Sequence, residues 1–345
     1  MLVELLHIGA NLGELHGLSN LENGPPLLPW ISSNRSRTTI LSSKMNSECI
    51  SACLVQHRCQ DITTILDLRY CSSSPFTRGG FGVVYRGVLK DGRVIALKCI
   101  EPLNGYETNE SGHGKNLKRA AREIYNWSRC EHPGVLPILG FARFREHIAL
   151  VTPWMGSGSL KQHVLRGLSQ TPLQICIELA TAVEYLHQNG IVHGDIKPDN
   201  VLMTNQGRPQ LGDFGSASST LSTTLNFTQT HSFGFTVRFA APEIMGGENP
   251  FTKESDVYAL GMTIFNVMTG QLPFADKSEV LVIVEVLSAR RQPLQPNFGH
   301  VLQKDEAKSK MWELLKRCFA YEPGDRPKAT QVKNGLMEVE MINSA

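Results

Sequence analysis

The apolar residues of this chain follow two different periodicities. From about residue 70 to residue 152 they form short runs separated by glycines and polar turns, a pattern typical of β-strands. It predicts a strand–turn–strand unit around residues 75–85 and further strands at residues 94–98, 135–140 and 147–151. Asp91 and Gly92, just before the strand at residues 94–98, indicate a tight hairpin.

Elsewhere the apolar residues recur with helical spacing. Residues 117–129 carry one apolar stripe, which follows a polar, glycine-containing stretch at residues 104–116 that we predict to be a loop. In the second half, Thr171 and Pro172 are typical of a helix start, and Gly190 is typical of its end. The chain therefore changes from strands to helices after about residue 156.

Residues 1–65 differ from the rest because they sustain neither periodicity. Asn-Gly-Pro-Pro at residues 23–26 and a polar run at residues 32–37 interrupt the pattern. We predict short helices over residues 3–15 and 49–60, with weak order between them. The chain would then consist of an N-terminal extension, residues 1–65, and one large domain, residues 66–345.

Composition is that of an ordinary globular protein. Of its 345 residues, 41% are hydrophobic and 19% are charged, and the formal net charge is +2. This charge gives no reason to expect a nucleic-acid partner. No apolar run approaches the roughly 18 residues of a membrane span, and the N-terminus lacks the leading basic residues of a signal peptide. The expected location is cytoplasmic.

Most of the eight cysteines lie in apolar periodic segments, as expected for reduced, buried thiols. Cys49, Cys53, His57 and Cys59 are clustered, so a metal site is the alternative. Their spacing lacks a Cys-x-x-Cys pair and a second ligand pair. We therefore interpret them as structural thiols.

Candidate chemistry is concentrated in two short segments. Residues 193–200 read HGDIKPDN and residues 213–215 read DFG, and the apolar runs between them predict a hairpin that brings the two together. The hairpin would place an ammonium, an amide and two carboxylates at one edge of a cleft. These groups belong to Asp195, Lys197, Asn200 and Asp213. Such a set can hold magnesium and a transferring phosphoryl group while one carboxylate accepts a hydroxyl proton.

The two segments resemble the catalytic loop, H-x-D-x-K-x-x-N, and the D-F-G motif of protein kinases. Further kinase-like motifs stand in order from about residue 72 to residue 340, among them a glycine-rich loop at residues 77–85 and A-P-E at residues 241–243. The resemblance implies an α+β, bilobal protein kinase fold. Its N-lobe, about residues 70–152, would contain an antiparallel five-stranded sheet and one helix, called helix C. Its C-lobe, about residues 156–340, would be mainly helical.

The resemblance also implies roles for individual side chains. Asp195 would orient and deprotonate the substrate hydroxyl, and Lys197 would stabilise the γ-phosphate. Lys98, at the end of a predicted strand, would hold the α- and β-phosphates. Glu123 on the helix would align Lys98, with Glu131 as the fallback partner.

By the same resemblance, ATP and Mg²⁺ would bind between the lobes, with Asn200 and Asp213 as the metal ligands. Thr152 and Met155 would be the gatekeeper and the hinge donor to the adenine ring. Pro153, which has no N–H, need only offer its carbonyl there. The residues expected to contact the nucleotide are Thr77, Gly79, Gly80, Phe81, Gly82, Val84, Ala96, Lys98, Thr152, Pro153, Met155 and Leu202.

Two structural contacts are implied as well. Asp256 would bond to the backbone of the catalytic loop from a long buried helix that ends at Gly270. Arg326 would form a buried ion pair with Glu243 and so attach the activation segment, residues 213–243, to the core.

Lys197 resembles the lysine of serine/threonine kinases, and residues 122–133 together with the hinge resemble the tyrosine-kinase-like group, especially its fungal families. The implied function is phosphorylation of Ser or Thr in a protein substrate, in intracellular signalling. The identity of that substrate and the oligomeric state are left open.

The sequence departs from the kinase pattern in two places. Thr77 stands where the first glycine of the loop is expected, and Gly194 replaces an arginine that neutralises a phosphorylated activation segment. We hypothesise that activity does not require such phosphorylation. A pseudokinase scaffold is the alternative, although each of the main catalytic positions is filled. A small-molecule kinase is disfavoured by A-P-E, Asp256 and Arg326.

Overall fold

The computed structural model describes residues 39–41, 45–79, 82–100, 110–145, 147–168, 171–219, 225–227, 236–247, 250–299 and 301–345. The helix predicted over residues 3–15 lies outside these ranges. Strand β1 (Thr39–Leu41) and helix α1 (Ser47–Gln56) come first. Helix α1 matches the helix predicted over residues 49–60 but ends earlier, because the chain leaves the helix through Arg58, whose φ is 67°. The domain boundary at residue 65 stays a prediction.

The N-lobe of the described chain contains a five-stranded antiparallel sheet, as predicted. Its elements along the chain are β2 (Thr77–Gly79), β3 (Gly82–Val88), β4 (Val94–Cys99), helix α2 (Glu110–Trp127), β5 (Gly140–Phe144) and β6 (His147–Pro153). The strand order is β2-β3-β4-β6-β5, and α2, the predicted helix C, packs against β6.

Two predicted boundaries in the N-lobe were wrong. Residues 135–139 are not a strand, because Pro137 has no N–H and Leu136 donates its N–H to Leu211 of the C-lobe instead, at 2.9 Å. Residues 110–116 are not a loop but the first turns of α2. Asn116 is buried there, so tertiary packing outweighs the polar local sequence.

The C-lobe is mainly helical, as predicted. It begins with α3 (Leu160–Arg166), α4 (Pro172–Gln188) and the short strands β7 (Ile191–Val192), β8 (Val201–Met203), β9 (Pro209–Leu211), β10 (Ser218–Ser219) and β11 (Leu225–Phe227). It continues with α5 (Pro242–Met245), α6 (Lys253–Thr269), α7 (Glu279–Leu287), α8 (Asp305–Cys318) and α9 (Ala329–Ser344). Strands β8 and β9 form the predicted hairpin.

Helix α6 is the centre of this lobe. Thr252 and Ser255 form a capping box at its start, and Gly270 ends it in the left-handed region, with a φ of 72°. All residues from 255 to 268 are buried, and α6 packs against α4 and α8. Because β7 follows α4 closely, the catalytic loop is attached to this rigid set of helices.

Within the described ranges, no helix combines the length and the apolar character that a membrane span requires.

Candidate active site

The catalytic loop is held by a buried carboxylate beneath it. Asp256 in α6 accepts hydrogen bonds from the backbone N–H groups of His193 and Gly194, both at 2.8 Å, as predicted. The ring Nδ1 of His193 accepts the N–H of Asp195 at 3.2 Å, so the ring proton is on Nε2, which donates to the Gly212 carbonyl at 3.0 Å. The backbone of the loop is therefore held by Asp256 and by the His193 ring.

The predicted catalytic side chains of the loop lie together. Lys197 Nζ donates to both carboxylate oxygens of Asp195, at 3.0 and 2.8 Å, and to Thr236 Oγ1 at 2.8 Å. The amide nitrogen of Asn200 donates to Asp195 Oδ2 and to its backbone carbonyl, both at 2.8 Å. The Asp195 side chain is only 8% exposed, so its orientation is set by these neighbours.

The β8–β9 hairpin joins this loop to the D-F-G motif. Gly212 N–H donates to the Asn200 carbonyl at 2.9 Å, which places the next residue, Asp213, beside the loop. Asp213 adopts a φ of 62°, which is uncommon for a residue other than glycine. Strained backbone of this kind is concentrated at functional sites.

Lys98 connects the two lobes. Its ammonium donates to Glu123 Oε1 at 2.8 Å and to Asp213 Oδ1 at 2.7 Å. Glu123 is thus the partner of Lys98, whereas the fallback residue Glu131 is exposed and donates its backbone N–H to the hydroxyl of Tyr185. A strand, a helix and the D-F-G motif, distant in sequence, meet at this ammonium.

Burial and charge shift the pKa values of this cluster in different directions. Burial raises the pKa of Glu123 to about 7, against the opposing effect of the Lys98 ammonium. Burial alone would lower the pKa of Lys98, but the carboxylates of Asp213 and Glu123 outweigh it and raise that pKa. Burial alone would raise the pKa of Asp213. Its charged and hydrogen-bonded neighbours, Lys98 first among them, outweigh burial and lower that pKa.

The residues predicted to contact the nucleotide lie largely on one face of the N-lobe sheet. Val84 pairs with Lys98 and Ala96 pairs with Thr152 across adjacent strands. Val84, Ala96 and Lys98 are half-buried, whereas the residues alternating with them are fully buried in a hydrophobic cluster on the other face. This half-buried face is the one that carries Lys98, whose ammonium bonds to Glu123 and Asp213.

The remaining predicted nucleotide contacts surround that face. Thr77 pairs with Val84 and Gly79 with Gly82, while Pro153 ends β6 opposite Ile95. Met155 and Leu202 are partly buried against the main hydrophobic core. Gly80 and Phe81 lie outside the described residues.

Gly82 meets a requirement that only glycine satisfies. Its φ is 139°, and a β-carbon there would lie 2.2 Å from the Cys99 carbonyl oxygen. The close approach of β3 and β4 at the base of the glycine-rich loop therefore depends on the missing side chain.

A sequence model of the protein kinase domain matches residues 72–336, more than half of the chain. The chain belongs to the protein kinase family. Its fold, with a five-stranded sheet and a mostly helical C-terminal region, agrees with this assignment.

Named relatives are similar to this kinase domain at modest identity. The serine/threonine-protein kinase PknK of Mycobacterium bovis is 32% identical over 288 residues, which are 81% of this chain and 24% of that protein. The probable serine/threonine-protein kinase PknB of Lactococcus lactis is 29% identical over 222 residues, 63% of this chain and 34% of that protein. The serine/threonine/tyrosine-protein kinase HT1 of Arabidopsis thaliana is 28% identical over 263 residues, which are 73% of this chain and 62% of that protein. The chain therefore spans a quarter to a third of the length of the two bacterial relatives.

The residues expected to bind metal fit Mg²⁺ by their chemistry. Asp213 supplies a carboxylate and Asn200 an amide oxygen, both hard ligands that Mg²⁺ prefers. In the described part of the chain, no group of three or more His, Cys, Asp or Glu side chains could hold a metal alone. Bound Mg²⁺ would take its remaining ligands from phosphate oxygens and water.

The end of the activation segment is fixed by the predicted ion pair. Both terminal nitrogens of Arg326 donate to Glu243, each at 2.7 Å, and the guanidinium also bonds to the backbone carbonyls of Glu254, Ala320 and Tyr321. The Arg326 side chain is 0% exposed. All five of its donors therefore have a role in joining this segment to α6 and the chain after α8.

Sequence reasoning missed two contacts from α2 to the D-F-G region. The Trp127 ring stacks on Phe214, with centroids 5.0 Å apart, and its Nε1–H donates to the Leu136 carbonyl at 2.6 Å. Asn126 donates its side-chain amide to the Ala217 carbonyl at 2.9 Å. The available signal was that Trp127 lies one helical turn after Glu123, but its partner could not be read from the stripe.

Proposed function

We propose that this protein is an ATP-dependent serine/threonine kinase that transfers the γ-phosphate of ATP to hydroxyl groups of a protein substrate. One observation carries the proposal: the Lys98 ammonium contacts Glu123 and Asp213 at 2.8 and 2.7 Å. This arrangement joins three separate motifs in the geometry that phosphoryl transfer needs.

Lys98 has the position and charge to bind the α- and β-phosphates. It keeps its proton at neutral pH, because the two carboxylates raise its pKa. Glu123 orients the ammonium, so that little reorganisation is needed when the nucleotide binds.

Asp195 is the group we assign to the substrate hydroxyl. Lys197 and Asn200 hold its carboxylate in one orientation and leave it able to accept a hydroxyl proton. The Lys197 ammonium lies close enough to that carboxylate to neutralise charge on the transferring phosphoryl group. Positioning and charge neutralisation would supply most of the catalysis.

Asn200 and Asp213 would hold Mg²⁺, which supplies neutralisation of the phosphate charge when bound. The carboxylate of Asp213 stays ionised at neutral pH, because its charged and hydrogen-bonded neighbours, Lys98 first among them, lower its pKa against burial. It is therefore available as a ligand.

Specificity for Ser and Thr is supported by Lys197 and by the two bacterial relatives, which are named serine/threonine-protein kinases, whereas the plant relative is named a serine/threonine/tyrosine-protein kinase. Residues 122–133 support a place in the tyrosine-kinase-like group, close to fungal kinases, and hence a role in signalling. All eight cysteines are free and five are buried, which suits the cytoplasm.

The test is transfer of labelled phosphate from Mg-ATP to a generic Ser/Thr protein substrate, with Asp195→Asn as the inactivating variant. Asp199→Asn is the matched control, because Asp199 stands in the same loop but is exposed and bonds to Lys161. Transfer that is lost in the first variant and kept in the second supports the proposal. ATP binding without transfer by the wild type would favour the pseudokinase alternative.

A further inference from the structure

Helix α1 lies before the region that the kinase family model matches, yet it is built into the N-lobe. Asn46 caps it by accepting the Cys49 N–H at 2.9 Å. Ile50 and Leu54, one turn apart on the same face, are both 0% exposed, whereas the neighbouring Val55 is 52% exposed. The helix thus has one strongly buried face.

That buried face lies against α2, the helix that carries Glu123. Helix α1 packs on α2 and also contacts β6. Ile50 and Leu54 belong to the same hydrophobic cluster as Ile124 and Tyr125, the residues directly after Glu123. The contact therefore acts on the helix that carries Glu123.

Contacts continue along the last turns of α2. The His57 ring meets the Tyr125 ring edge-on, with centroids 5.8 Å apart. Cys59 Sγ lies 3.4 Å from Ser128 Oγ just beyond the helix. These contacts extend the packing on α2 from α1 to the end of the helix.

The segment after α1 is attached to the edge of the sheet. Phe141 donates its N–H to the Gln60 carbonyl, and Ile62 donates to the Phe141 carbonyl, both at 2.9 Å. Gly140 allows this approach, because its φ is 143° and a β-carbon there would lie 2.3 Å from the Gln60 oxygen. Residues 45–63, the flanking segment, therefore connect the β5 edge to α2.

Just before this segment, β1 pairs in parallel with β11 of the activation segment, in the register Thr39 with Leu225 to Leu41 with Phe227. Leu41 is 0% exposed and belongs to the same cluster as α1 and α2. The chain before the matched family region thus contacts two elements on which the active site depends.

We propose that the flanking segment is a positioning element for catalysis, with Leu54 as its central residue. It holds α2 against the sheet, so that Glu123 stays within reach of Lys98. Outward movement of α2 would separate it from α1 and expose Ile50 and Leu54 to water, which disfavours that movement. The inference rests on the proposed function only for its effect on phosphate transfer.

The test uses full-length Leu54→Ala, with Val55→Ala as the matched control on the same helix. Amide hydrogen exchange is measured across residues 114–127 and, for comparison, in α6 and α9, together with kcat and KM for ATP. We expect Leu54→Ala to speed exchange in α2 by about tenfold or more, as the loss of a buried leucine side chain allows. Exchange in α6 and α9 should not change, and kcat/KM should fall by a similar factor.

The conservative variant Leu54→Met should restore both readouts, because methionine fills a similar volume. His57→Ala keeps the buried face of α1. It should speed exchange in α2 and lower kcat/KM as Leu54→Ala does, but by a smaller factor. The positioning role is wrong if Leu54→Ala and Val55→Ala give the same exchange in α2 and the same kcat/KM. It is also wrong if Leu54→Ala speeds exchange in α6 and α9 as much as in α2. In both cases the kinase function stands. If the wild type transfers no phosphate, the proposed function fails, and exchange in α2 still decides the structural claim.

Discussion

The Phe251 ring lies against Gly194, within 3.0 Å of the point that a β-carbon at residue 194 would occupy. The backbone carbonyl of Ser216 is equally close, and the φ of Gly194 is 80°. A side chain at this position would therefore meet both a ring and unfavourable backbone torsion. An arginine here, as in the kinases this chain resembles, would require Phe251 or the backbone near Ser216 to shift.

We predict that activity is independent of activation-segment phosphorylation. Asp256 already fixes the backbone of His193 and Gly194, so a phosphate is not needed to order the loop. Phosphatase treatment, verified by mass spectrometry, should leave the rate of phosphate transfer unchanged. A large loss of activity would contradict the prediction.

The crowding at Gly194 can be separated from backbone strain. Gly247 has a φ of 71° and nothing within 4 Å of its β-carbon position, so Gly247→Ala introduces strain alone, about 1–2 kcal/mol. Gly194→Ala adds the contacts with Phe251 and Ser216 and should lower the free energy of unfolding further, as measured by urea denaturation. Equal losses in the two variants would show that Phe251 yields freely.

The raised pKa of Glu123 predicts a pH dependence of activity. Below a pH of about 7, Glu123 becomes protonated, and its neutral carboxyl group can no longer form an ion pair with the Lys98 ammonium. The value of kcat/KM for ATP, which reports the free enzyme, should therefore fall as the pH falls through about 7. Glu123→Gln should be less active at neutral pH and should lack this inflection.

The same group has the opposite effect on stability. Because its pKa in the folded chain lies above the ordinary value of 4.5, the folded state binds the proton more tightly than the unfolded state does. The stability contributed by this proton is present below pH 4.5 and is lost as the pH rises through about 7. Unfolding temperatures of wild type and Glu123→Gln, measured against pH over this range, isolate the contribution of Glu123. Parallel curves for the two proteins would exclude that contribution.

Local sequence signals predicted the elements that local physics determines. Thr171 and Pro172 marked the start of α4 and Gly190 marked its end, and the apolar runs between the two catalytic segments marked the β8–β9 hairpin. The resemblance to kinases additionally located the Glu243–Arg326 pair.

The errors and omissions share a different cause, since they depend on partners distant in sequence. Residues 135–139 looked like a strand, but Leu136 bonds to Leu211 of the other lobe. Periodicity placed Trp127 on the apolar stripe of α2, but it did not show that Trp127 faces Phe214. Burial is encoded locally, whereas the identity of the contact is set by the fold.

The Glu243–Arg326 pair should make a large contribution to stability. Glu243→Ala leaves a fully buried guanidinium without its carboxylate, which typically costs about 3–5 kcal/mol. The exposed pair Arg290–Glu322 is the control, because Glu322→Ala should cost less than about 1 kcal/mol. Free energies of unfolding from urea denaturation provide the comparison, and similar values for both variants would contradict the prediction.

The stacking of Trp127 on Phe214 predicts a residue whose loss affects catalysis as well as stability. Trp127→Ala removes the ring that supports Phe214, and with it the neighbouring Asp213, at a cost of about 3–5 kcal/mol in stability. Trp127→Phe keeps an aromatic ring but loses the hydrogen bond to Leu136 and part of the buried ring volume, so it should retain most of the activity. Trp312→Ala is the control, because Trp312 packs on Phe319 in the C-lobe, in a different part of the core.

At a temperature where all variants are fully folded, kcat should fall at least about tenfold in Trp127→Ala and remain near the wild-type value in Trp312→Ala. Equal values of kcat in these two variants would mean that the stack supports the fold and not the position of Asp213.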